Sequence, residues 1–359
     1  MIEHRMWRLV LAFLLFVAAA APLHAEPYFA VMTGQKCAAC HVNQTGGGKR
    51  TQFGNIFAQS QLSARAPAKM WDGTVMEYLA IGGNLRGTAS GVDSDEADDT
   101  FEFDLDEALI YLEVPLLADR LTLYVDEQVG PTTLNREAFA LLRFPDANAY
   151  LKVGKMFLPF GLRLEDDSEF IRQVPGINYT TPDDGLEAGV DIDQWTLQLA
   201  LTNGTAGGAE SNRGKQWSAL ASWTQARWRL GASANNNAGD DSRTMYGAFA
   251  GLKTGPVSWL GELDFISDDS LGTDGRDQWT SFVEANWWIR KGHNLKLTYG
   301  WFDPDDDVDE DERARYSLVY EYFPFAFVQL RAGVRSNDGI PQNDAQNADL
   351  AFIQLHAYF

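Results

Sequence analysis

From Val75 onward, apolar and polar residues alternate along the chain in segments of about ten residues. Successive side chains of a β-strand point to opposite faces, so each segment has one apolar and one polar face. In residues 295–301, for example, Leu295, Leu297 and Tyr299 alternate with Lys296 and Thr298. Strands that are apolar outside and polar inside are typical of a transmembrane β-barrel.

The alternating pattern predicts sixteen strands, an even number of the kind found in bacterial outer-membrane barrels. The predicted fold class is therefore all-β, with a sixteen-stranded antiparallel outer-membrane barrel over residues 75–359. The strands are expected at residues 75–87, 101–114, 119–129, 134–144, 148–157, 185–192, 195–203, 215–224, 227–235, 243–253, 257–267, 278–290, 293–302, 313–323, 326–336 and 347–359.

The predicted connections alternate in length. Short ones fall at residues 115–118, 193–194, 225–226, 255–256, 291–292 and 324–325, and long polar ones at residues 88–100, 158–184, 268–276, 303–312 and 336–346. Outer-membrane barrels have short periplasmic turns and long external loops, so the N-terminus is expected on the periplasmic side. Apolar and polar residues also alternate in the strands of a soluble all-β protein. Such a protein is not expected to have its short loops at one end and its long loops at the other. Aromatic residues at strand ends, such as Trp287 and Trp288, also favour the membrane barrel.

Residues 1–25 have the features of a secretory signal peptide. Arg5 and Arg8 give a positive start, residues 9–22 form an apolar run, and Ala25 supplies a small residue at the expected cleavage site. The run is shorter than the roughly 20 residues of a membrane-spanning helix. No later stretch is long and apolar enough to be such a helix, so a membrane-embedded mature protein would be a barrel.

Residues 26–70, between the signal peptide and the barrel, contain the motif Cys37-Ala38-Ala39-Cys40-His41. Two thiols at this spacing each add to a haem vinyl group, and the adjacent histidine is the proximal ligand of the iron. The motif predicts one covalent haem c held by Cys37 and Cys40, with His41 on the iron. The alternatives are a disulfide, a thioredoxin-like redox pair, which lacks a βαβ context, and a zinc site, which lacks two further ligands.

The motif leaves the distal haem ligand open. Met70 and Met76 lead the candidates, and packing is the ordinary role of any single methionine. His356 is expected to face the lumen near the periplasmic rim, as lining, as a distal ligand or as an acid–base group. The segment has about 45 residues, too few to bury a haem with a core of its own. We therefore expect a small cytochrome segment that acts as a plug and is covered by the barrel.

The chain carries 29 Lys and Arg against 50 Asp and Glu, a net charge of −21. This balance excludes nucleic acid as a partner, because phosphates need a basic surface. Many of the acidic residues lie in predicted external loops, at residues 93–99 and 303–312. Carboxylate-rich loops attract hard cations such as Fe²⁺, although a solvated surface is the ordinary role of any single carboxylate.

Several short motifs resemble those of a known family. Tyr28-Phe29-Ala30, Thr33-Gly34, the haem motif and Phe53-Gly54, followed by a barrel, resemble the fused monohaem cytochrome–porins of iron-oxidising bacteria. The resemblance implies a haem plug inside or under the barrel that takes electrons from external Fe²⁺ and passes them to a periplasmic carrier. By this resemblance, Cys37, Cys40 and His41 match the haem-binding residues of the family. No residues of this chain are matched to an iron site.

A second resemblance concerns the barrel alone. Residues 151–161 resemble a strand and loop of the phosphate-selective porin group. Phosphate selectivity does not follow, because the loops are acidic and phosphate pores use clustered Arg and Lys.

The leading hypothesis is an outer-membrane electron conduit, an oxidoreductase-like activity of the iron:cytochrome c type. Its partners would be an extracellular donor such as Fe²⁺, a periplasmic cytochrome or other carrier, and outer-membrane lipid. The alternative is a general or ion-selective diffusion porin in which the haem segment is a plug or a sensor. A haem peroxidase is the third hypothesis, and it requires an open distal position and a distal acid–base group.

Overall fold

The computed structural model describes residues 26–94, 98–117, 120–210, 212–238, 242–340, 343 and 346–359. The signal peptide predicted for residues 1–25 lies outside these ranges. The described helices are short: α1 (Pro27–Thr33), α2 (Cys37–Cys40), α3 (Gln52–Phe57), which continues as a π-helical turn (Ala58–Leu62), and α4 (Phe170–Gln173). None of them is long and apolar enough to cross a membrane.

Within the described ranges, the strands form one antiparallel sheet that closes on itself. Each strand from β2 to β17 pairs with its neighbours along the chain, and β17 pairs with β2. The short β1 pairs with the start of β2. The predicted sixteen-stranded barrel is confirmed. The strands are β1 (Thr74–Met76), β2 (Leu79–Ser94), β3 (Thr100–Leu117), β4 (Leu121–Gly130), β5 (Leu134–Phe144), β6 (Ala149–Met156), β7 (Asp183–Ile192), β8 (Trp195–Thr202), β9 (Gln216–Thr224), β10 (Trp228–Ala238), β11 (Ser242–Thr254), β12 (Val257–Asp268), β13 (Arg276–Arg290), β14 (His293–Asp303), β15 (Arg313–Tyr322), β16 (Val328–Asp338) and β17 (Ala348–Tyr358).

The first barrel strand differs from its prediction. We expected a strand at residues 75–87 and a loop at residues 88–100, but β2 runs to Ser94 and β3 begins at Thr100. Residues 88–94 are small or polar, so they lack the apolar alternation that marks a strand. They are strand because their backbones pair with β17 on one side and β3 on the other.

The two faces of the barrel strands are those that the alternation predicts. On β14, Leu297 is 56% exposed on the outside, whereas Lys296 is 4% exposed on the inside. On β8, Leu199 and Leu201 are exposed while Gln198 and Thr202 are buried. An apolar outer surface and a polar interior suit a barrel whose outside contacts hydrocarbon.

Residues 26–70, which we call the N-terminal segment, enter the ring of strands, although residues 65–70 are mostly exposed. Their polar side chains bond to inward-facing residues of β3, β5, β6, β14 and β15. These bonds join Glu26 to Lys296, Tyr28 to Glu321, Asn43 to Glu137 and Lys152, and Lys49 to Glu113.

The N-terminal segment meets the barrel wall at the end that carries the short turns. The Ala64 N–H donates to the Phe323 carbonyl (2.6 Å), and the Arg65 N–H donates to the Pro324 carbonyl (3.0 Å). Lys36 Nζ donates to the carbonyl of Asp193 (3.1 Å), in another short turn. The segment therefore fills this end of the lumen.

The connection between β6 and β7, residues 157–182, is a second element that fills the lumen, and we call it the crossing loop. It was predicted as a long polar external loop, and that prediction is wrong. Leu158, Phe160, Leu162, Leu164 and Ile171 are all buried. The loop folds inward because this apolar surface needs cover, and because wall side chains accept its backbone N–H groups, as Glu262 does for Leu162 (2.6 Å).

Candidate functional site

The two cysteines lie on a single helical turn, α2, whose ends are set by its neighbours. Lys36 precedes the helix in extended conformation, and the His41 N–H closes it by donating to the Cys37 carbonyl (3.0 Å). Residues three apart on a helix share one face. The turn therefore presents Cys37 and Cys40 to the same side, with His41 immediately after them.

That side faces a cavity which Cys37, Cys40 and His41 line together. Much of the remaining lining is apolar, and it comes from the N-terminal segment and from the barrel wall: Phe29, Phe53, Phe57, Leu62, Leu162 and Leu220. A large, mostly apolar cavity with a few polar groups is the usual form of a cofactor site.

His41 is buried, with 5% of its surface exposed. Burial, together with the nearby positive charge of Arg50, lowers the pKa of His41 to about 3, so its imidazole is neutral at physiological pH. The neutral imidazole is the form that binds a metal. Its buried Nδ1 atom has no hydrogen-bond partner among the described residues.

Both cysteines are free thiols of intermediate burial. Burial, with a contribution from Cys37, raises the pKa of the Cys40 thiol to about 11. The paired cysteines, the neutral His41 and the apolar cavity fit a covalently held haem.

The structure does not bring the proposed distal ligands to the cavity. Met70 and Met76 are 41% and 65% exposed, and neither lines it. His356 is fully buried and faces the lumen, as its position on β17 predicts, but it bonds to Asn84 and Gln329 away from the cavity. Within the described part of the chain, the lining holds no methionine and no histidine besides His41.

The lining also contains residues that motif reasoning did not find. Arg50 belongs to the N-terminal segment, Arg163 to the crossing loop and Arg229 to β10. The last two are far from the motif in sequence, and only the closed barrel brings them to it. Nothing in the local sequence around either of them signals this role.

The acidic loop at residues 303–312 lies at the other end of the barrel. Its carboxylates are mostly exposed, and Arg276 pairs with Asp305 (3.2 Å). Across the residues that the structure describes, no group of three or more His, Cys, Asp or Glu side chains could hold a metal ion. The loop has the features of a solvated, negatively charged rim.

A closed antiparallel barrel of sixteen strands, apolar outside and polar inside, defines an outer-membrane β-barrel of the porin type. Solved porin structures share this fold. The chain superposes on a loop-deletion mutant of OmpT from Vibrio cholerae (TM-score 0.61, 14% identity, covering 78% of this chain and 99% of that one). It also superposes on an anion-selective porin from Comamonas acidovorans (TM-score 0.61, 11% identity, 78% and 99%) and on OprB from Pseudomonas putida (TM-score 0.60, 11% identity, 79% and 94%).

These likenesses concern the fold, because the sequence identities are low. No protein-family model matches the chain, and no curated protein matches it in sequence. The chain is an outer-membrane barrel with a porin-like fold. The haem and the resemblance to fused cytochrome–porins stay predictions.

Proposed function

We propose that this barrel is an outer-membrane electron conduit that carries one covalent haem c in its lumen. The observation that supports it best is the position of the complete haem motif: Cys37, Cys40 and His41 face a large apolar cavity enclosed by the barrel wall. A closed barrel is the β-structure that can hold a polar interior across a hydrocarbon layer. Haem in this lumen would be accessible from the aqueous phase while the strands insulate it from lipid.

Different residues of the chain would attach the haem, bind its iron and limit the access of water. When bound, the haem supplies a one-electron iron couple. The thiols of Cys37 and Cys40 would hold the porphyrin, and the neutral His41 would bind the iron. The buried side chains of Phe29 and Leu220 would limit water around the haem, and a drier site strengthens every charge interaction within it.

The two ends of the barrel differ in a way that suits an external cationic donor. The long-loop end is strongly acidic at residues 303–312, and negative surfaces concentrate cations. Fe²⁺ is the donor that the resemblance to fused cytochrome–porins suggests. The N-terminal segment lies at the short-turn end, which is periplasmic in outer-membrane barrels, so a periplasmic cytochrome is the proposed acceptor.

Electron transfer across a sealed membrane tests the proposal. Purified protein is reconstituted in liposomes that contain an oxidised cytochrome, and Fe²⁺ or an impermeant reductant is added outside. We expect the enclosed cytochrome to be reduced with the wild type but not with a Cys37→Ser/Cys40→Ser variant. Equal rates for the two proteins, or no transfer by haem-loaded wild type, would reject the conduit.

A diffusion porin in which the haem segment is a plug or sensor is the second candidate, and the porin-like fold favours it. Bilayer conductance separates the two functions. A conduit whose lumen is filled by the N-terminal segment and the crossing loop passes little ion current, whereas a diffusion porin passes a large steady current. A large current through haem-loaded protein would favour the porin.

A further inference from the structure

The external half of β3 has an open backbone edge. On one side, residues 100–107 pair with β2. On the other side, β4 pairs only with residues 108–117, and within the described ranges no backbone group bonds to residues 100–107 there. The edge is open because β4 ends at Gly130, opposite Ala108. An edge of this kind presents the N–H and C=O groups that a further strand would pair with.

This edge lies outside the hydrocarbon layer. A strand of an outer-membrane barrel crosses the hydrocarbon with about 9–11 residues. β3 has 18 residues, and residues 108–117, which end at the short connection to β4 on the periplasmic side, are enough to span the layer. Residues 100–107 therefore extend beyond it on the external side, where outer-membrane barrels carry their long loops. We call residues 100–107 the external edge.

Apolar and acidic side chains alternate along the external edge. Phe101 and Phe103 share one face of the strand. They are 68% and 79% exposed, and their rings pack edge to face, with 5.2 Å between the ring centroids. Glu102 and Asp104 lie on the other face, are also exposed, and form no ion pair within the described ranges. Aromatic side chains so exposed beyond the hydrocarbon form an apolar surface of the kind that a partner covers.

We propose that the external edge binds an extended segment of another protein in which basic and apolar residues alternate. The segment would add a strand to the sheet, with its backbone bonded to that of residues 100–107. Its apolar side chains would cover Phe101 and Phe103. Its Lys or Arg side chains would lie beside Glu102 and Asp104, because directly opposite residues of paired strands share a face of the sheet.

The charges of the external edge favour this partner over a second copy of the chain. Two external edges paired with each other would place acidic side chains on the same face, and like charges directly opposite one another destabilise a strand pair. The net charge of the whole chain, −21, also opposes the association of two copies. A basic segment is attracted by the same charges.

Peptide binding tests the proposal on the full-length protein in nanodiscs of zwitterionic lipid. The probe is a short peptide in which lysine and valine alternate, and fluorescence anisotropy measures its affinity. Glu102→Lys/Asp104→Lys should weaken binding about tenfold, because two favourable cross-strand charge pairs become repulsive. The same variant should gain affinity for a peptide in which glutamate and valine alternate.

Asp307→Lys/Asp309→Lys is the matched control, because it makes the same change of charge at exposed residues of the acidic rim, outside any strand. Its affinity for the lysine–valine peptide should be close to that of wild type. Hydrogen exchange measures the backbone contacts, and bound peptide should protect the amides of residues 100–107 and leave those of residues 303–312 unchanged. Circular dichroism of each variant checks that the barrel has folded.

Three outcomes would overturn the proposal. Equal loss of affinity in the two lysine variants would mean that the peptide responds to overall charge and not to the external edge. Equal affinity for a peptide with its lysines and valines in separate blocks would exclude strand pairing. Wild-type oligomers in sedimentation that are lost in Phe101→Ser/Phe103→Ser would assign the edge to a second copy. The haem proposal stands or falls separately, because the external edge and the cavity are at opposite ends of the barrel.

Discussion

The N-terminal segment and the crossing loop both fill the lumen, but they differ in what they leave empty. The crossing loop is packed against the wall by apolar residues and fastened by wall arginines, as Arg331 pairs with Glu165 (3.4 Å). The N-terminal segment is fastened through Lys152 and Lys296, and a cavity lies beside its cysteines. If blocking the lumen were the only role of both the N-terminal segment and the crossing loop, one of them would be sufficient. The cavity therefore lies beside the N-terminal segment, and the crossing loop contributes Leu162 to its lining.

The largest expected effect concerns the cysteines of the N-terminal segment. Cys37→Ser/Cys40→Ser removes both proposed haem attachment points. We expect complete loss of the covalent haem while the barrel still folds, because neither thiol bonds to the wall strongly. Mass spectrometry of the intact chain and the visible spectrum measure the loss. Each single variant retains one attachment point and serves as the control, and covalent haem in the double variant would contradict the assignment.

The next effect concerns the anchor of the N-terminal segment. Lys152 pairs with Glu187 (2.9 Å) and donates to Asn43 (3.0 Å), and both charged side chains are fully buried. Lys152→Met leaves Glu187 buried without its cation, which costs about 3–5 kcal/mol of unfolding free energy. Urea unfolding in lipid vesicles measures the loss.

The control for that experiment replaces both partners. Lys152→Met with Glu187→Leu removes the cation and the carboxylate together, so most of the lost stability should return. If the double variant is as unstable as Lys152→Met alone, the loss arises from the bond to Asn43 and not from the uncompensated charge.

A smaller loss of stability is expected when the crossing loop is loosened, with no change in haem content. Arg335 pairs with Glu169 (3.3 Å), bonds to Ser168 (2.6 Å) and also contacts Asp166. Arg335→Gln should cost about 1–3 kcal/mol and loosen the loop. Ion conductance in planar bilayers should rise, while haem content stays the same. Arg276→Gln, at the outer rim, is the control. A rise in conductance together with loss of haem would show that the two elements are not separable.

The smallest effect is expected at the rim of the cavity. Lys36 and Asp191 form an ion pair (2.7 Å) whose side chains are 22% and 35% exposed. Exposed pairs contribute less than about 1 kcal/mol. Lys36→Gln should therefore lower the free energy of unfolding only slightly. Added salt should lower the stability of the wild type until it approaches that of the variant. A loss as large as that of Lys152→Met would mean that this pair, and not the buried one, anchors the segment.

The sequence predicts the barrel better than it predicts what lies inside. Alternation identified the strands and their faces because every wall residue meets either hydrocarbon or lumen, as Leu297 and Lys296 do. The path of the crossing loop could not be read in the same way, because its contacts are remote: Arg335 and Asp166 are 169 positions apart. The haem motif was readable because its spacing is local, whereas Arg163 joins it only through the closed fold.

Closure of the barrel also sets an order of events for assembly. The contact between His356 and Asn84 joins residues 272 positions apart across the seam between β17 and β2. Such distant pairings form late, since the loop entropy must be lost before the contacts form. Until this seam closes, the ring of strands around the N-terminal segment is incomplete. If the thiols carry a haem, we expect its attachment to be easier before this seam closes than after it.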